Sequence, residues 1–214
     1  MIIEFHNFIP SPLSETFTGG SEVWKKQRIT ISEKTICSII SPSGKGKSSL
    51  LNSIYGLRKD YEGSILIDQR NIAEFSPFDW SELRTNKLSI VFQSLNLFPQ
   101  LSALDNVLIK NKLSNYKTEH EIIKLFQDLG IEKQIKQLAW KLSYGQKQRL
   151  AIIRALCQPF DTILLDEPFS HMDKTNAMVA WNTIKSESEK QGASILISEL
   201  QKEDFITADT SLYI

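Results

Sequence analysis

The sequence predicts an α/β fold in which a β-sheet is interrupted by an inserted helical region. Two observations carry the α/β prediction. An apolar segment at 36–40 leads through a Gly/Ser-rich turn into helical spacing, and a second apolar segment at 162–166 ends in two acidic residues. Residues 99–142 show helical spacing with few strand signals, which gives the insertion. The 214 residues, of which 41% are hydrophobic, suit one well-packed domain.

The remaining elements follow from alternation, apolar runs and turn residues along the chain. Residues 1–8 alternate weakly as a strand, and the Pro and Gly residues between 10 and 20 mark a turn-rich loop. Further strands are expected at 28–31, 63–68, 88–92, 194–198 and 209–214, and helices at 101–110, 119–129, 131–138 and 174–190. The helical region therefore separates two sections of the sheet.

Composition narrows the classes of function. The chain carries 25 Lys and Arg against 25 Asp and Glu, with a pI near 6.8, so no overall basic field favours nucleic acid. No apolar run approaches a membrane span and the N-terminus lacks a secretory signal, which predicts a cytosolic location. Cys37 and Cys157 are expected to be reduced core thiols, and the three His residues show no metal-ligand spacing.

The segment 41–49, SPSGKGKSS, lies between the strand at 36–40 and the following helix. Loop amides and a helix N-terminus in that position surround phosphates, a lysine reaches the outer phosphates, and a hydroxyl binds magnesium. Lys47 and Ser48 take the last two roles. Ser41 stands where the usual pattern has its first glycine, while Gly44 and Gly46 supply flexibility. The alternative is a Gly/Ser/Lys surface turn before a helix.

The segment 163–167, ILLDE, is an apolar strand that ends in two carboxylates. Open α/β folds bind ligands at the carboxyl edge of the sheet, where Asp166 and Glu167 would lie. Asp166 can orient a magnesium-bound water, and Glu167 can take a proton from water. An acidic turn after a strand is also common without any function. Together with the phosphate-binding loop, the segment predicts a nucleotide hydrolysis site.

The segment 142–156, LSYGQKQRLAIIRAL, predicts a capped helix that begins after Ser143, with Gln146 as the capping-box partner. The N-terminus of this helix could bind a second anion; the alternative is that it is simply a well-capped helix. Followed at short distance by TILLDEP, it resembles the signature and Walker B region of ATP-binding-cassette (ABC) ATPases. The resemblance covers nearly the whole chain. Within that family, the stretch VFQSLNLFPQLSALDNV looks most like the lipoprotein-releasing and macrolide-exporting group.

The resemblance implies a P-loop NTPase fold of the ABC ATPase type, with ATP and Mg²⁺ as cofactors. In such a fold the mixed sheet core would comprise residues 1–92 and 158–214, the helical signature subdomain would comprise about 93–157, and a small antiparallel β part would be present. The implied partners are a second copy of the chain and integral membrane permease subunits, with no nucleic acid. The protein would lie peripherally on the cytoplasmic face of the inner membrane.

The same resemblance assigns roles to individual residues. Gln93 matches a glutamine that senses magnesium and faces the permease, Asp173 matches an aspartate near the dimer contact, and Phe17 matches the aromatic residue that stacks on adenine, with Trp24 as its rival. Two cassettes would close head to tail, so that the signature of one chain completes the ATP site of the other. The residues implied to contact ATP are Phe17, Ser43, Gly44, Lys45, Gly46, Lys47, Ser48, Ser49, Ser143, Gly145, Gln146 and Asp173.

The chain departs from the family pattern at Ser41, Lys45, Tyr144 and Glu199. Tyr144 replaces the first signature glycine and is expected to face solvent or the partner. Glu199 occupies the place of the switch histidine, where an ionised carboxylate would repel a phosphate charge by about 4 kcal/mol at ~4 Å and an effective dielectric of ~20. Glu199 would therefore point away, be protonated, be offset by Lys45, or slow hydrolysis. His171 is expected to be a surface residue.

Three functions are compatible with these observations. The first is an ATP-hydrolysing subunit that powers a membrane transporter through ATP-driven dimerisation, with Glu167, Gln93 and Glu199 at its catalytic site and Ser48, Gln93 and Asp166 at its magnesium site. The second is a regulatory nucleotide-binding subunit in which Glu199 impairs hydrolysis. The third is an ABC ATPase acting on nucleic acid or the ribosome, which the neutral charge disfavours.

Overall fold

The computed structural model describes residues 1–214. Its strands are β1 (Ile3–Pro10), β2 (Ile29–Ile31), β3 (Ile36–Ile40), β4 (Tyr61–Ile67), β5 (Arg70–Asn71), β6 (Leu88–Val91), β7 (Thr162–Asp166), β8 (Ser194–Glu199) and β9 (Thr210–Tyr213). Its helices are α1 (Ser11–Ser14), α2 (Lys47–Ile54), α3 (Pro77–Asn86), α4 (Ala103–Asn111), α5 (Glu119–Asp128), α6 (Tyr144–Leu156) and α7 (Lys174–Gln191). The sequence predicts most of these elements to within two residues.

The strands form two sheets. A parallel five-stranded sheet has the order β6-β7-β8-β3-β9, and an antiparallel four-stranded sheet has the order β2-β1-β4-β5. The predicted α/β fold with a small antiparallel part is confirmed. The parallel and the antiparallel strands lie in two separate sheets and do not form one mixed sheet. Every residue of β7 and β8 is buried, which agrees with the apolar runs at 163–165 and 195–197 near the centre of a parallel sheet.

The two faces of the parallel sheet belong to different hydrophobic cores. One core packs α6 and α7 against the parallel sheet and extends into the helical region, with Leu150, Ile153 and Trp181 among its buried residues. The other packs α2 between the antiparallel sheet and the opposite face of the parallel sheet, with Leu50 and Leu51 fully buried. Burial on both faces holds the carboxyl edge of the parallel sheet in a fixed position relative to the start of α2.

The helical region between β6 and β7 contains α4, α5 and α6. The helix predicted at 131–138 is wrong, because this segment contains only a short 3₁₀ turn at Glu132–Gln134, and a second 3₁₀ turn follows it at Ala139–Lys141. Its carbonyls are used elsewhere: those of Ile135 and Gln137 accept hydrogen bonds of 2.9 and 2.8 Å from the first amides of α4. The segment therefore caps a neighbouring helix and does not extend one of its own.

The structure also describes the surroundings of the two cysteines and the apolar character of the helices. Cys37 in β3 and Cys157 after α6 are free and buried, and burial raises the pKa of each thiol to about 12. This confirms the expected reduced core thiols. None of the helices combines the length and the apolar character needed to cross a membrane.

Candidate active site

The loop between β3 and α2 has the conformation that a phosphate-binding loop requires. Gly46 has φ of 98°, and a Cβ atom there would lie 2.6 Å from Leu13 Cδ1 and 3.0 Å from Trp24 Cζ2. Only glycine fits that backbone and that space. Ser41 is buried, and its amide donates to the Glu199 carbonyl at 3.1 Å, which continues the pairing of β3 with β8. Its φ is not positive, so a glycine is not needed at this position.

Lys47, the first residue of α2, holds its amine among three oxygen atoms. Nζ lies 2.6 Å from the Ser41 carbonyl oxygen, 3.1 Å from the Pro42 carbonyl oxygen and 3.2 Å from Glu167 Oε1. The residue is only 4% exposed. A buried ammonium group held by carbonyls and one carboxylate is positioned to exchange that carboxylate for an anionic ligand.

Asp166 and Glu167 lie at the carboxyl end of β7, as predicted. The Ser198 hydroxyl donates to Asp166 Oδ1 at 2.8 Å, and burial raises the pKa of Asp166. Glu167 has φ of 47°, a left-handed conformation that a glutamate adopts only under constraint from its surroundings. Its amide donates to the Ser198 carbonyl at 3.2 Å, which turns the carboxylate toward Lys47.

Gln93, which follows β6, lies between Ser48 of the phosphate-binding segment and Glu167 at the end of β7. Its Nε2 donates to Glu167 Oε2 at 3.2 Å, and the Ser48 hydroxyl lies 3.4 Å from its Oε1. These side chains line a cavity of about 300 Å³, called here the Lys47 cleft. The cleft also includes Ser43, Gly44, Gly46 and Ser49. The structure therefore brings together most of the phosphate-binding and acidic residues that the sequence predicts.

The donors near Ser48 fit a magnesium ion shared with phosphates. Ser48, Gln93 and Asp166 supply one hydroxyl, one amide oxygen and one carboxylate. Burial raises the pKa of Asp166, and the nearby Ser48 hydroxyl acts in the opposite direction. No group of three or more His, Cys, Asp or Glu side chains that could hold a metal occurs in the chain. Mg²⁺ is commonly held by one or two protein carboxylates together with substrate phosphates and water.

The predicted capping box at the start of α6, called here the signature helix, is confirmed. Ser143 Oγ accepts from the Gln146 amide at 3.3 Å, and Gln146 Oε1 accepts from the Ser143 amide at 2.9 Å. Asp173 caps α7 in a similar way, accepting from the Asn176 amide at 2.9 Å. None of these residues, nor Gly145, lines the Lys47 cleft of the same chain.

Tyr144 is 44% exposed, and its side chain also contacts other residues of its own chain. Its hydroxyl donates to the Gln93 carbonyl oxygen at 3.3 Å, and its ring centroid lies 4.2 Å from that of His171. His171 is exposed, as expected. Tyr144 is the first helical residue of α6 and has no positive φ, so the helix start tolerates a side chain there. The expectation that Tyr144 faces only solvent or a partner is therefore incomplete.

The structure does not bring Phe17 or Lys45 into the Lys47 cleft. Both line a neighbouring cavity of about 270 Å³. The rival Trp24 is buried, with its ring 5.7 Å from that of Phe8, and it lines the same neighbouring cavity as Phe17. The cleft instead includes Pro12 and Leu13 of α1, and Arg58 after α2. These three residues carry no local sequence signal for nucleotide binding, and none of them is aromatic.

Glu199 also lies outside the Lys47 cleft. Its carboxylate accepts hydrogen bonds from the Ser38 hydroxyl and, at 3.1 Å, from the Glu203 amide. Burial raises its pKa despite these bonds. Successive residues of a strand face opposite sides of a sheet, so Ser198 faces Asp166 and Glu199 faces away from it. Of the possibilities left open by the sequence, the structure has the Glu199 carboxylate directed to Ser38 and away from Asp166. Glu199 and Glu167 nevertheless line a common second cavity, so a catalytic role for Glu199 stays a prediction.

Comparisons with known proteins agree with this geometry. The family model described as "ABC transporter" matches residues 24–170. A phosphonates import ATP-binding protein of Oceanobacillus iheyensis is 31% identical over 202 residues, covering 89% of this chain and 79% of the relative. A lipoprotein-releasing system ATP-binding protein of Buchnera aphidicola is 33% identical over 175 residues, covering 80% of this chain and 76% of the relative.

A solved structure is similar over almost the whole chain. It is the ATP-binding cassette MJ0796 of Methanocaldococcus jannaschii in a dimeric, post-hydrolysis state bound to ADP and Pi. The TM-score is 0.79 at 27% identity, with 99% of this chain and 94% of that chain covered. With the family match and the arrangement of Lys47, Gln93 and Glu167, this likeness leads to one conclusion: the chain belongs to the ABC transporter family, as one of its ATP-binding ATPase cassettes.

Proposed function

We propose that this chain is the ATP-hydrolysing subunit of a membrane transporter and works through ATP-driven closure of two copies. The observation that supports it most is the contact of Lys47 with Glu167 across the cleft, with Gln93 between Glu167 and Ser48. In this proposal Lys47 is the phosphate-binding amine, Glu167 is the proton acceptor, and Gln93 and Ser48 are ligands of Mg²⁺. These four side chains line one cavity. That combination suits phosphoryl transfer to water.

Each residue of the cleft has a defined task in this proposal. The loop amides around Gly44 and Gly46 and the amine of Lys47 bind the phosphates. Glu167, with its carboxylate directed into the cleft, accepts the proton of the attacking water. Ser48, Gln93 and Asp166 would hold Mg²⁺, which neutralises phosphate charge when bound.

A second copy supplies the rest of the site. Ser143, Gly145, Gln146 and Asp173 lie outside the Lys47 cleft of their own chain, and Ser143 and Asp173 are exposed. The proposal therefore assigns these four residues to the cleft of the partner in a head-to-tail dimer, consistent with the dimeric relative. The permease subunits would contact the region around Gln93, so that the chain would lie on the cytoplasmic face of the inner membrane.

The proposal is tested with Lys47→Ala. Lys47 provides a charge-assisted bond worth about 1.5–3 kcal/mol per contact, so two phosphate contacts predict a loss of ATP affinity of at least about a hundredfold. Calorimetry measures the affinity, and phosphate release measures turnover. Lys185→Ala is the control, because Lys185 forms only a 3.9 Å surface pair with Glu189. Equal ATP binding by Lys47→Ala and the parent protein would refute the proposed site.

A further inference from the structure

Arg58 brings a second cation into the Lys47 cleft. Its Nη1 donates to Ser49 Oγ at 2.7 Å, and its Nε and Nη2 donate to the two carboxylate oxygens of Asp60 at 2.7 Å each. The side chain is 31% exposed and lines the same cavity as Lys47. Ser49 lies in the first turn of α2, two residues after Lys47. The guanidinium is thus one hydrogen bond away from the phosphate-binding loop.

The Arg58 side chain retains unused donors. A guanidinium group has five N–H donors, and the three bonds to Ser49 and Asp60 use three of them. Asp60 fixes the plane of the guanidinium through two parallel bonds and offsets its charge. What remains is a rigid, planar group at the wall of the cleft, with two N–H donors left for a ligand.

An aliphatic surface lies beside this group. The Ser11 amide donates to the Asp60 carbonyl at 2.9 Å, which ties the start of α1 to the turn that carries Arg58. Pro12 and Leu13 of α1 line the cleft, whereas Phe17 does not. The cleft is therefore lined by charged and polar groups around Lys47 and Glu167 and also by Arg58, Pro12 and Leu13, of which Leu13 lies beside Gly46 of the phosphate-binding loop.

We propose that Arg58, with Pro12 and Leu13, contacts the part of the nucleotide that ATP and ADP share, namely the nucleoside and its innermost phosphate. A guanidinium plane stacks on a heteroaromatic ring and donates to phosphate or ribose oxygens, and aliphatic side chains cover the other apolar surface of a base. This inference rests on the proposed function, because it concerns the same nucleotide. It replaces an aromatic base platform with a cation and two aliphatic side chains.

The test is the affinity of Arg58→Gln for ATP and for ADP, measured by calorimetry. We expect both nucleotides to bind about tenfold more weakly and by the same factor, because one contact to the shared part is lost. The matched control is Arg70→Gln. Arg70 forms a similar two-bond pair with Asp79, at 2.7 and 3.0 Å, outside the cleft. The control should bind both nucleotides as the parent protein does.

Two outcomes would overturn the inference. The first is unchanged affinity of Arg58→Gln for both nucleotides; if Phe17→Ala weakens both nucleotides in that case, the base lies on Phe17. The second is a loss of affinity for ATP alone, which would place Arg58 at the outermost phosphate. If Arg58→Gln does not fold, Arg58→Lys keeps the charge but not the planar fork and should lose a few-fold in affinity for both nucleotides. Failure of the parent protein to bind ATP would instead refute the proposed function.

Discussion

Glu167→Gln removes a negative charge from the cleft and keeps the size of the side chain. In the structure the Glu167 carboxylate lies 3.2 Å from Lys47 Nζ and accepts from Gln93 Nε2 at 3.2 Å. A phosphate that binds Lys47 has to displace this carboxylate or lie beside it. Two like unit charges about 5 Å apart repel each other by roughly 3 kcal/mol at an effective dielectric of about 20. Water in the open cleft reduces that repulsion.

The substitution should therefore separate ATP binding from hydrolysis. We expect ATP affinity to rise by about tenfold, which corresponds to about half of the unscreened repulsion. Loss of the proton acceptor should lower turnover by about 10²- to 10⁴-fold. Bound ATP then persists, and if the signature helix of one chain completes the cleft of another, a dimer should accumulate.

Calorimetry, single-turnover phosphate release and light scattering with and without ATP measure these three effects. Glu189→Gln is the control, because Glu189 lies on the exposed face of α7 and pairs only with Lys185. An unchanged rate of phosphate release would show that Glu167 is not the proton acceptor. Weaker ATP binding would show that Glu167 positions Lys47 for the phosphate and does not compete with it. Either result refutes the reasoning above.

Two further predictions follow from buried groups outside the cleft. Because folding raises the pKa of Glu199, its contribution to stability is present below its unfolded pKa and is lost as pH rises through the folded pKa. Glu199→Gln should therefore gain stability relative to the parent as pH rises above the unfolded pKa of a glutamate, about 4.3. Urea melts measure this, turnover should stay within about twofold, and a parallel pH profile would contradict the prediction. Cys37 and Cys157, whose thiol pKa values are about 12, should not react with a maleimide at about pH 8 until the protein is unfolded, and rapid labelling of the folded chain would refute their burial.

The parts of the site that the sequence predicts are those encoded by consecutive residues. The strand, loop and helix around Lys47 carry their own signals, and so does the apolar strand that ends at Asp166 and Glu167. The capping box of Ser143 and Gln146 is equally local. Each of these local structures depends on contacts within a few residues. The tertiary fold then brings the phosphate-binding loop and the end of β7 to one edge of the sheet.

The parts that it misses depend on distant contacts. Arg58 reaches back over nine residues to Ser49, and its place in the cleft depends on how α1 packs against the turn after α2. The family resemblance predicts Phe17 as the aromatic residue beside adenine, whereas in the structure Phe17 lines a neighbouring cavity. The segment after α5 has helical spacing, yet its carbonyls bond to the start of α4. Spacing along the chain contains no information about such competing partners.

The bond between Tyr144 and Gln93 has a mechanical consequence. It joins the first turn of the signature helix to the backbone of the residue whose side chain lies between Ser48 and Glu167. If the signature helix rotates relative to the parallel sheet, it must either break this bond or pull the Gln93 backbone with it. In the second case, a shift of the signature helix would reach Ser48 and Glu167 through a single amide side chain.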